Sequence, residues 1–300
     1  MSAVLPATES INPRYRDIDA WDPLVALQAM WEGQMAAAAA VQTALPAIAA
    51  AAIAAAARLG ASGRLVYAGA GTSGRIGVQD GAELPPTFDW PRARLVMLMA
   101  GGEAAFTTSI ENAEDDTEAG AQAVAQHAIG AHDVVIGTAA SGSTPFTVAV
   151  LRAARAAGAL TIGLSNSPAG AVLSAAEHPI LVETGAEVIA GSTRMKAGTA
   201  QKIVLNLLSS QIMVQRGHVH HGLMIDMQAK NEKLRLRALR MLRHLTGIAD
   251  EHRLRTALSG ADGRVKTAVL LAHGLDRPSA DALLARSHNR LRIALKEIGQ

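Results

Sequence analysis

The chain reads as an α/β protein: a doubly wound parallel sheet of about five strands, flanked by helices and followed by a small helical C-terminal domain. Three observations predict this. Short apolar runs recur at Arg64–Ala68, Arg94–Met99, Asp133–Thr138 and Leu160–Leu164, with a weaker fifth at Pro179–Val182. Their interiors are continuously apolar rather than alternating, as strands covered on both faces require. Turn residues and then a helix-length segment follow each run, which is the pattern of βαβ units.

The elements fall into three segments. Residues 1–60 form an N-terminal helical segment packing on the core, with Asp22-Pro23 as N-cap and first helical position. Residues 33–57 hold no charge and are long enough to span a bilayer, but they are mostly alanine and are interrupted by Gln34, Gln42, Thr43 and Pro46. A buried helix pair of a soluble protein is the expectation. Residues 61–225 hold the sheet and end in one long helix, Thr193 to Gln215, with Ser192 or Thr193 as its N-cap. Residues 226–300 are helical, in leucine-spaced runs (LRLRALRMLRHL, VKTAVLLAHGL, ADALLARSHNRLRIAL) punctuated by Gly247, Gly260 and Gly274–Pro278.

Composition narrows the function classes. With 300 residues the chain is long enough for a full core without staples, and it holds no cysteine. That removes disulfides, thiolate nucleophiles, cysteine zinc sites and iron–sulfur clusters. Half the residues are hydrophobic (49%) but only 3% aromatic, so alanine-rich helices with close interfaces are expected. The net charge of +2 does not argue for nucleic acid. It is uneven, because residues 226–300 carry 15 Lys+Arg against 8 Asp+Glu, and this basic tail reads as a solvated face or a surface against an acidic partner subunit. The N-terminal stretch lacks a basic region followed by an apolar one, so a cytoplasmic protein without a membrane segment is expected.

Chemistry concentrates in the turns after the strands. The first strand runs into Gly69-Ala-Gly-Thr-Ser-Gly-Arg75, where glycines let backbone N–H groups approach an anion and Thr72 and Ser73 add hydroxyls at a helix start. Gly69, Gly71 and Gly74 also satisfy the dinucleotide GxGxxG pattern, but no acidic residue ends a second strand to bind a ribose. The third strand ends in Ala139-Ala-Ser-Gly-Ser-Thr-Pro145, again small and hydroxyl-rich, offering Ser141, Ser143 and Thr144. Two such loops on one sheet edge form a phosphate cradle suited to a sugar phosphate. Among the carboxylates, Glu83 precedes Pro85-Pro86, a pair expected to end any helix. Glu114 lies in the acidic run Glu111–Asp116. Either is a surface acid or, where both follow strands on one sheet edge, half of an acid/base pair. Arg194 and Lys196, in the first turn of the long helix, oppose its dipole and require an anion or carboxylate nearby. His218, His220 and His221 lack accompanying acidic ligands and read as helix-end or interface residues.

At these residues the chain resembles the sugar isomerase (SIS) domain family and, within it, the N-acetylmuramic acid 6-phosphate etherases. The resemblance rests on YAGAGTSGRIGVQDGAELPPTF, AGGEAAFTTSIENAEDD, VVIGTAASGSTPF, GAEVIAGSTRMKAGTAQKIVLNLLSS and LMIDMQAKNEKL, in order from Tyr67 to Leu234. It implies a flavodoxin-like SIS sheet and a carbon–oxygen lyase that cleaves a D-lactyl ether by β-elimination and then adds water. Glu83 is implied as proton donor to the leaving lactate and Glu114 as the second acid/base residue. Thr72, Ser73, Ser141, Ser143 and Thr144 are implied to hold the sugar 6-phosphate. No metal and no redox cofactor is expected, and the partner implied is a second copy in a homodimer with shared sites. Ser143 stands where the family usually has Arg, His220-His221-Gly222 where an aromatic-Gly-Asn run is more common, and Leu84 where Cys is common. The alternative is a non-catalytic sugar-phosphate-sensing regulator of the same family. Its discriminating feature is that such a regulator carries two SIS domains. An aldose–ketose phosphate isomerase and a nicotinamide dehydrogenase fit the strings less well.

Overall fold

The apolar runs form strands within a residue or two of where the sequence puts them. The structure, a computed structural model, describes residues 7–300 other than Gln228 and Lys230, so two residues of the 223–234 string and the first six of the N-terminal stretch lie outside it. In chain order the elements of the first half are α1 (Pro23–Ala40), α2 (Leu45–Arg58), β1 (Leu65–Gly69), α3 (Gly71–Phe88), β2 (Leu95–Met99), α4 (Thr117–Gln126), β3 (Val134–Ala139), α5 (Pro145–Ala156), β4 (Leu160–Ser165), α6 (Ala171–Ala175) and β5 (His178–Leu181). There follow α7 (Lys196–Gln215), the strands β6 (Val219–His220) and β7 (Leu223–Met224), and α8 (Glu232–Thr246), α9 (Glu251–Gly260), α10 (Val265–Ala272), α11 (Arg277–Arg286) and α12 (Leu291–Glu297).

Two compact units emerge. The first comprises the described residues up to Ala82 together with Arg92–Gln211. Its sheet has the order β2-β1-β3-β4-β5, every pair parallel, with Gly69 in register with both Met99 and Thr138. Val66, Ala68 and Val135 pack with Val124, Phe146, Leu151 and Val172 into the core under α4, α5 and α6. On the other face α2 lies against β4 and β5. There α3 sits so close that a Cβ on Gly81 would come 2.3 Å from Met97 and 3.0 Å from the Tyr67 ring. Tyr67 Oη donates to Asp80 Oδ2 at 2.9 Å, fixing the rotation of α3 on β1.

The second unit comprises Glu83–Pro91 and Ile212–Gln300. Leu239, Leu242, Leu254, Leu258, Val265, Val269, Leu283 and Leu291 form its core. Gly247 closes α8 in left-handed backbone (φ 69°), and Asp276 caps α11 through Ser279 N–H at 2.8 Å. A hairpin joins β6 to β7 through His221 (φ 47°) and Gly222 (φ 74°).

Several expectations are corrected. Pro85 and Pro86 do not stop α3, which runs on to Phe88. Each proline removes one N–H and crowds the carbonyl four residues back, but both fall in the last turn, so the helix ends two residues beyond them. The long helix begins at Lys196, not Thr193, because a carboxylate from elsewhere supplies its cap. The run 280–295 breaks into α11 and α12 at His288 and Asn289, both with positive φ. The uncharged N-terminal stretch is not a buried pair. By length and composition Pro23–Arg58 would cross a membrane, but it is broken by a 3-10 turn at Val41–Ala44, and α1 buries only Ala29, Gly33 and Ala37. Leu24, Leu27, Trp31 and Met35 remain more than half exposed.

Candidate functional site

The strand order makes β1 the pivot. The chain passes from β1 outward to β2 and then returns to β3 on its other side, so the turns after β1 and β3 emerge side by side where the order reverses, which is where such sheets bind ligands. After β1 the turn folds tightly on itself. A Cβ on Gly69 would fall 2.8 Å from Gly74 Cα, and one on Gly74 would meet Gly69 O at 2.8 Å. Gly71 takes left-handed backbone (φ 52°) and opens α3, with Thr72 half-buried and Ser73 buried in the first turn. The start of an 18-residue helix supplies N–H groups and a positive dipole end to an anion.

The turn after β3 is equally constrained. Gly142 adopts φ 74°, and a Cβ there would lie 2.4 Å from Ser165 Oγ and 2.6 Å from Gly170 Cα. Ser143 N–H donates to Ser141 Oγ at 3.2 Å. Thr144 stands at the N-cap position of α5 without a side-chain cap bond, ahead of Pro145 at the first helical position. Thr72, Ser73, Ser141, Ser143 and Thr144 therefore stand on neighbouring turns at one edge of the sheet.

Beside β1 on its other flank, β2 leads into residues 100–116. Glu114 sits there, exposed, in a 3-10 turn, Ala113–Asp115, that packs against α5, with Ala113 against the core. The acidic run divides its duties: Asp116 caps α4 by accepting from Ala119 N–H at 2.8 Å. Glu83 is placed differently. It is exposed, in the last two turns of α3, and belongs to the second unit.

Sequence reasoning missed three residues that set this geometry. The Glu187 carboxylate is buried and accepts from Lys196 N–H (2.8 Å) and Ala197 N–H (2.9 Å), capping α7, while Lys196 Nζ donates to Ala186 O at 2.8 Å. The carboxylate demanded by Lys196 at a helix start is thus structural. Burial pushes the Glu187 carboxyl up against those two backbone bonds and lowers the Lys196 ammonium. The first turn of α7 in turn approaches α3, since a Cβ on Gly198 would contact Ile76 and Thr72 at 3.5 Å. Asp80, buried on α3, has its carboxyl raised by burial despite bonds from Ser209 and Tyr67. The third is Arg75, whose guanidinium bonds to the segment before Glu114. An isolated acid between glycines (Asp80) and an arginine against a helix dipole (Arg75) were visible signals. Glu187 left none, because its partners are brought to it only by the loop before α7.

In the second unit, Asp226 Oδ2 lies 2.6 Å from both His218 Nδ1 and Lys266 Nζ. Burial drives the Asp226 carboxyl up, but His218 and Lys266 outweigh it and hold it below the usual carboxylate range. Phe88 and Trp90 meet the His218 ring edge-on. His220 stacks on His221 at 4.2 Å and is lowered to about 4 by burial, then by His221 and Arg292. Among the described residues, no group of three His, Cys, Asp or Glu side chains is disposed to hold a metal ion.

Known proteins share the fold, and relatives share close to half of the sequence. The family profile for the glucokinase regulatory protein N-terminal SIS domain matches residues 47–155. A protein of Deinococcus radiodurans named N-acetylmuramic acid 6-phosphate etherase is 48% identical over 97% of this chain and 95% of its own length. One of the same name from Streptomyces avermitilis is 46% identical over 96% and 93%. Among solved structures, a phosphoheptose isomerase from Francisella tularensis superposes with a TM-score of 0.51 at 20% identity, covering 64% of this chain and 98% of its own, a likeness of fold alone.

Proposed function

Because the chain belongs to the N-acetylmuramic acid 6-phosphate etherase family, we propose that its three neighbouring strand-end loops bind that sugar phosphate and cleave its D-lactyl ether. The observation that carries the reading is the β2-β1-β3 neighbourhood, which sets two hydroxyl- and amide-rich turns beside a loop bearing a carboxylate. The turns of Thr72, Ser73, Ser141, Ser143 and Thr144 take the phosphate and sugar hydroxyls.

The chemistry asks little more of the protein than two carboxylates. In the open-chain sugar the C1 aldehyde acidifies the C2 proton. Glu114 as base takes that proton while Glu83 as acid protonates the C3 ether oxygen. The C3–O bond breaks, lactate departs and a C2=C3 double bond remains. Water then adds its hydroxyl at C3 and a proton at C2, giving N-acetylglucosamine 6-phosphate. In that second half Glu83 takes the proton of the adding water and Glu114 returns one to C2, so both groups end as they began.

A second copy completes the pocket in this reading. Glu83, exposed on the chain taken singly, is open to a partner's pocket. The stripe Leu24, Leu27, Trp31 and Met35 supports a homodimer, since it recurs every three or four residues on a helix whose one charged residue, Glu32, pairs with Arg14 at 2.9 Å. A cytoplasmic role in amino-sugar catabolism or wall recycling follows from the substrate.

The test is D-lactate release from N-acetylmuramic acid 6-phosphate, without added metal or nucleotide, by wild type, Glu83→Ala and Glu114→Ala. Wild type is expected to release lactate and each variant to lose about 10²-fold or more. A folded wild type that binds the sugar phosphate and releases nothing overturns the enzyme in favour of a sensor.

A further inference from the structure

Residues 100–116 form a long irregular segment that bends three times through left-handed backbone, at Gly101 (φ 83°), Gly102 (φ 70°) and Asn112 (φ 60°). Its own backbone bonds, such as Ala105 N–H to Gly102 O and Thr108 N–H to Ala104 O, close it on itself. Apolar ties to the fold come from buried Ala105 and from Ala113 against the core. At the segment's start Ala100 N–H donates to Gly69 O at 3.0 Å, and farther along the side-chain tie is Arg75. Its Nε donates to Ala105 O at 3.0 Å and its Nη2 to Thr108 O at 3.3 Å. Arg75 lies two residues after Ser73 in the opening turns of α3, where a cation faces the positive end of the helix dipole. Two carbonyls at one planar fork answer that placement, and lysine cannot reproduce the fork.

We propose that Arg75 is a positioning residue that fastens the Glu114 segment to the turn of Thr72 and Ser73, so that a sugar phosphate seated on that turn meets Glu114 at a fixed distance. The proposal rests on the reading of Glu114 as an acid/base group. Arg75 bridges the two loops through its side chain, and its removal leaves the middle of the segment, beyond the Ala100–Gly69 backbone bond, with Ala105 and Ala113 as anchors.

Lactate-release kinetics of Arg75→Ala, Arg75→Lys, Glu114→Gln and the Arg75→Ala/Glu114→Gln double variant test this, with backbone hydrogen exchange over residues 100–116. Arg75→Ala is expected to lower kcat by about 10- to 100-fold with KM changed less than about threefold, the signature of a displaced group rather than lost binding. Arg75→Lys recovers little of the loss, and added guanidinium ion restores part of it. In the Glu114→Gln background the same change costs less than about threefold, because the residue it positions is already gone. Exchange quickens in 100–116 while β1 and β3 keep their protection, which also certifies that the variant is folded. A rise in KM at unchanged kcat, an undiminished cost in the Glu114→Gln background, or unchanged exchange each overturns the proposal. Wild-type activity in Glu114→Gln instead sinks the acid/base reading itself and the catalytic part of the proposal with it, a result the single Arg75 variants cannot mimic.

Discussion

The turns after β1 and β3 and the segment after β2 stand side by side but are built differently. The first two are held by backbone against backbone: Gly69 on Gly74, and Gly142 on Gly170, at distances no Cβ tolerates. The third is 17 residues long, closes mainly on itself, and beyond its anchored first residue, Ala100, meets the fold through small apolar contacts at Ala105 and Ala113 and through Arg75. The contrast teaches that the parts offered for binding are rigid and integral to folding, whereas the exposed carboxylate offered for proton transfer sits on a separable segment. Substitutions in the two regions should therefore fail in different ways.

The largest expected effect falls on the acid/base side. Glu114→Gln and Glu83→Gln should each lower lactate release by about 10²- to 10⁴-fold while unfolding midpoints stay within about 0.5 kcal/mol of wild type, since both side chains are exposed. A large loss of stability in either would erase the distinction drawn above. The binding side should show the opposite. Gly142→Ala strains a left-handed position and drives a Cβ into Ser165 and Gly170, so denaturant unfolding should register a cost of about 3 kcal/mol. Full stability there means that the turn is slack.

A smaller effect belongs to the far end of the same strands, away from any ligand. Asp133 Oδ2 lies 2.6 Å from Arg64 Nη2 and accepts Gly130 N–H at 3.0 Å, a lock joining the starts of β1 and β3. Burial pushes the Asp133 carboxyl up, but these bonds outweigh it and its pKa lies below 3.8 in the folded chain. A depressed folded pKa contributes stability that is fully present above the unfolded value and is lost as pH falls through the folded one. Asp133→Asn should cost about 2 kcal/mol at pH 7 and flatten the acid limb of the stability curve below about pH 4. An unaltered acid limb assigns that loss to other carboxylates. The smallest change in monomer stability is expected for Trp31→Glu, within about 0.5 kcal/mol at an exposed site, yet sedimentation should show it shifting the protein toward monomer. An unchanged dimer would remove α1 from the interface.

Much of this architecture was legible in the chain. All five strands announced themselves as apolar runs, and Gly69–Arg75 and Ala139–Pro145 declared their turns, because those signals are local. What was not legible depended on distant partners. Pro85-Pro86 read as a stop, but α3 runs two residues past them, with both prolines in its last turn. Ser192 and Thr193 read as caps, but Glu187 caps α7 from across a loop. The uncharged stretch from Gly33 read as buried, but the stripe from Leu24 to Met35 is exposed on the chain taken singly. Glu83 and Glu114 stood out as residues.

In the proposed shared pocket the two carboxylates come from different copies, and mixing inactive variants tests that directly. Glu83→Gln and Glu114→Gln proteins, each inactive alone, would be combined, allowed to exchange subunits and assayed for D-lactate release. Each mixed dimer then holds one pocket with both carboxylates intact, so random mixing should restore roughly a quarter of wild-type activity. A mixture as inactive as its parents, under conditions where subunit exchange is verified, would contradict the shared pocket and place both carboxylates in the service of one chain.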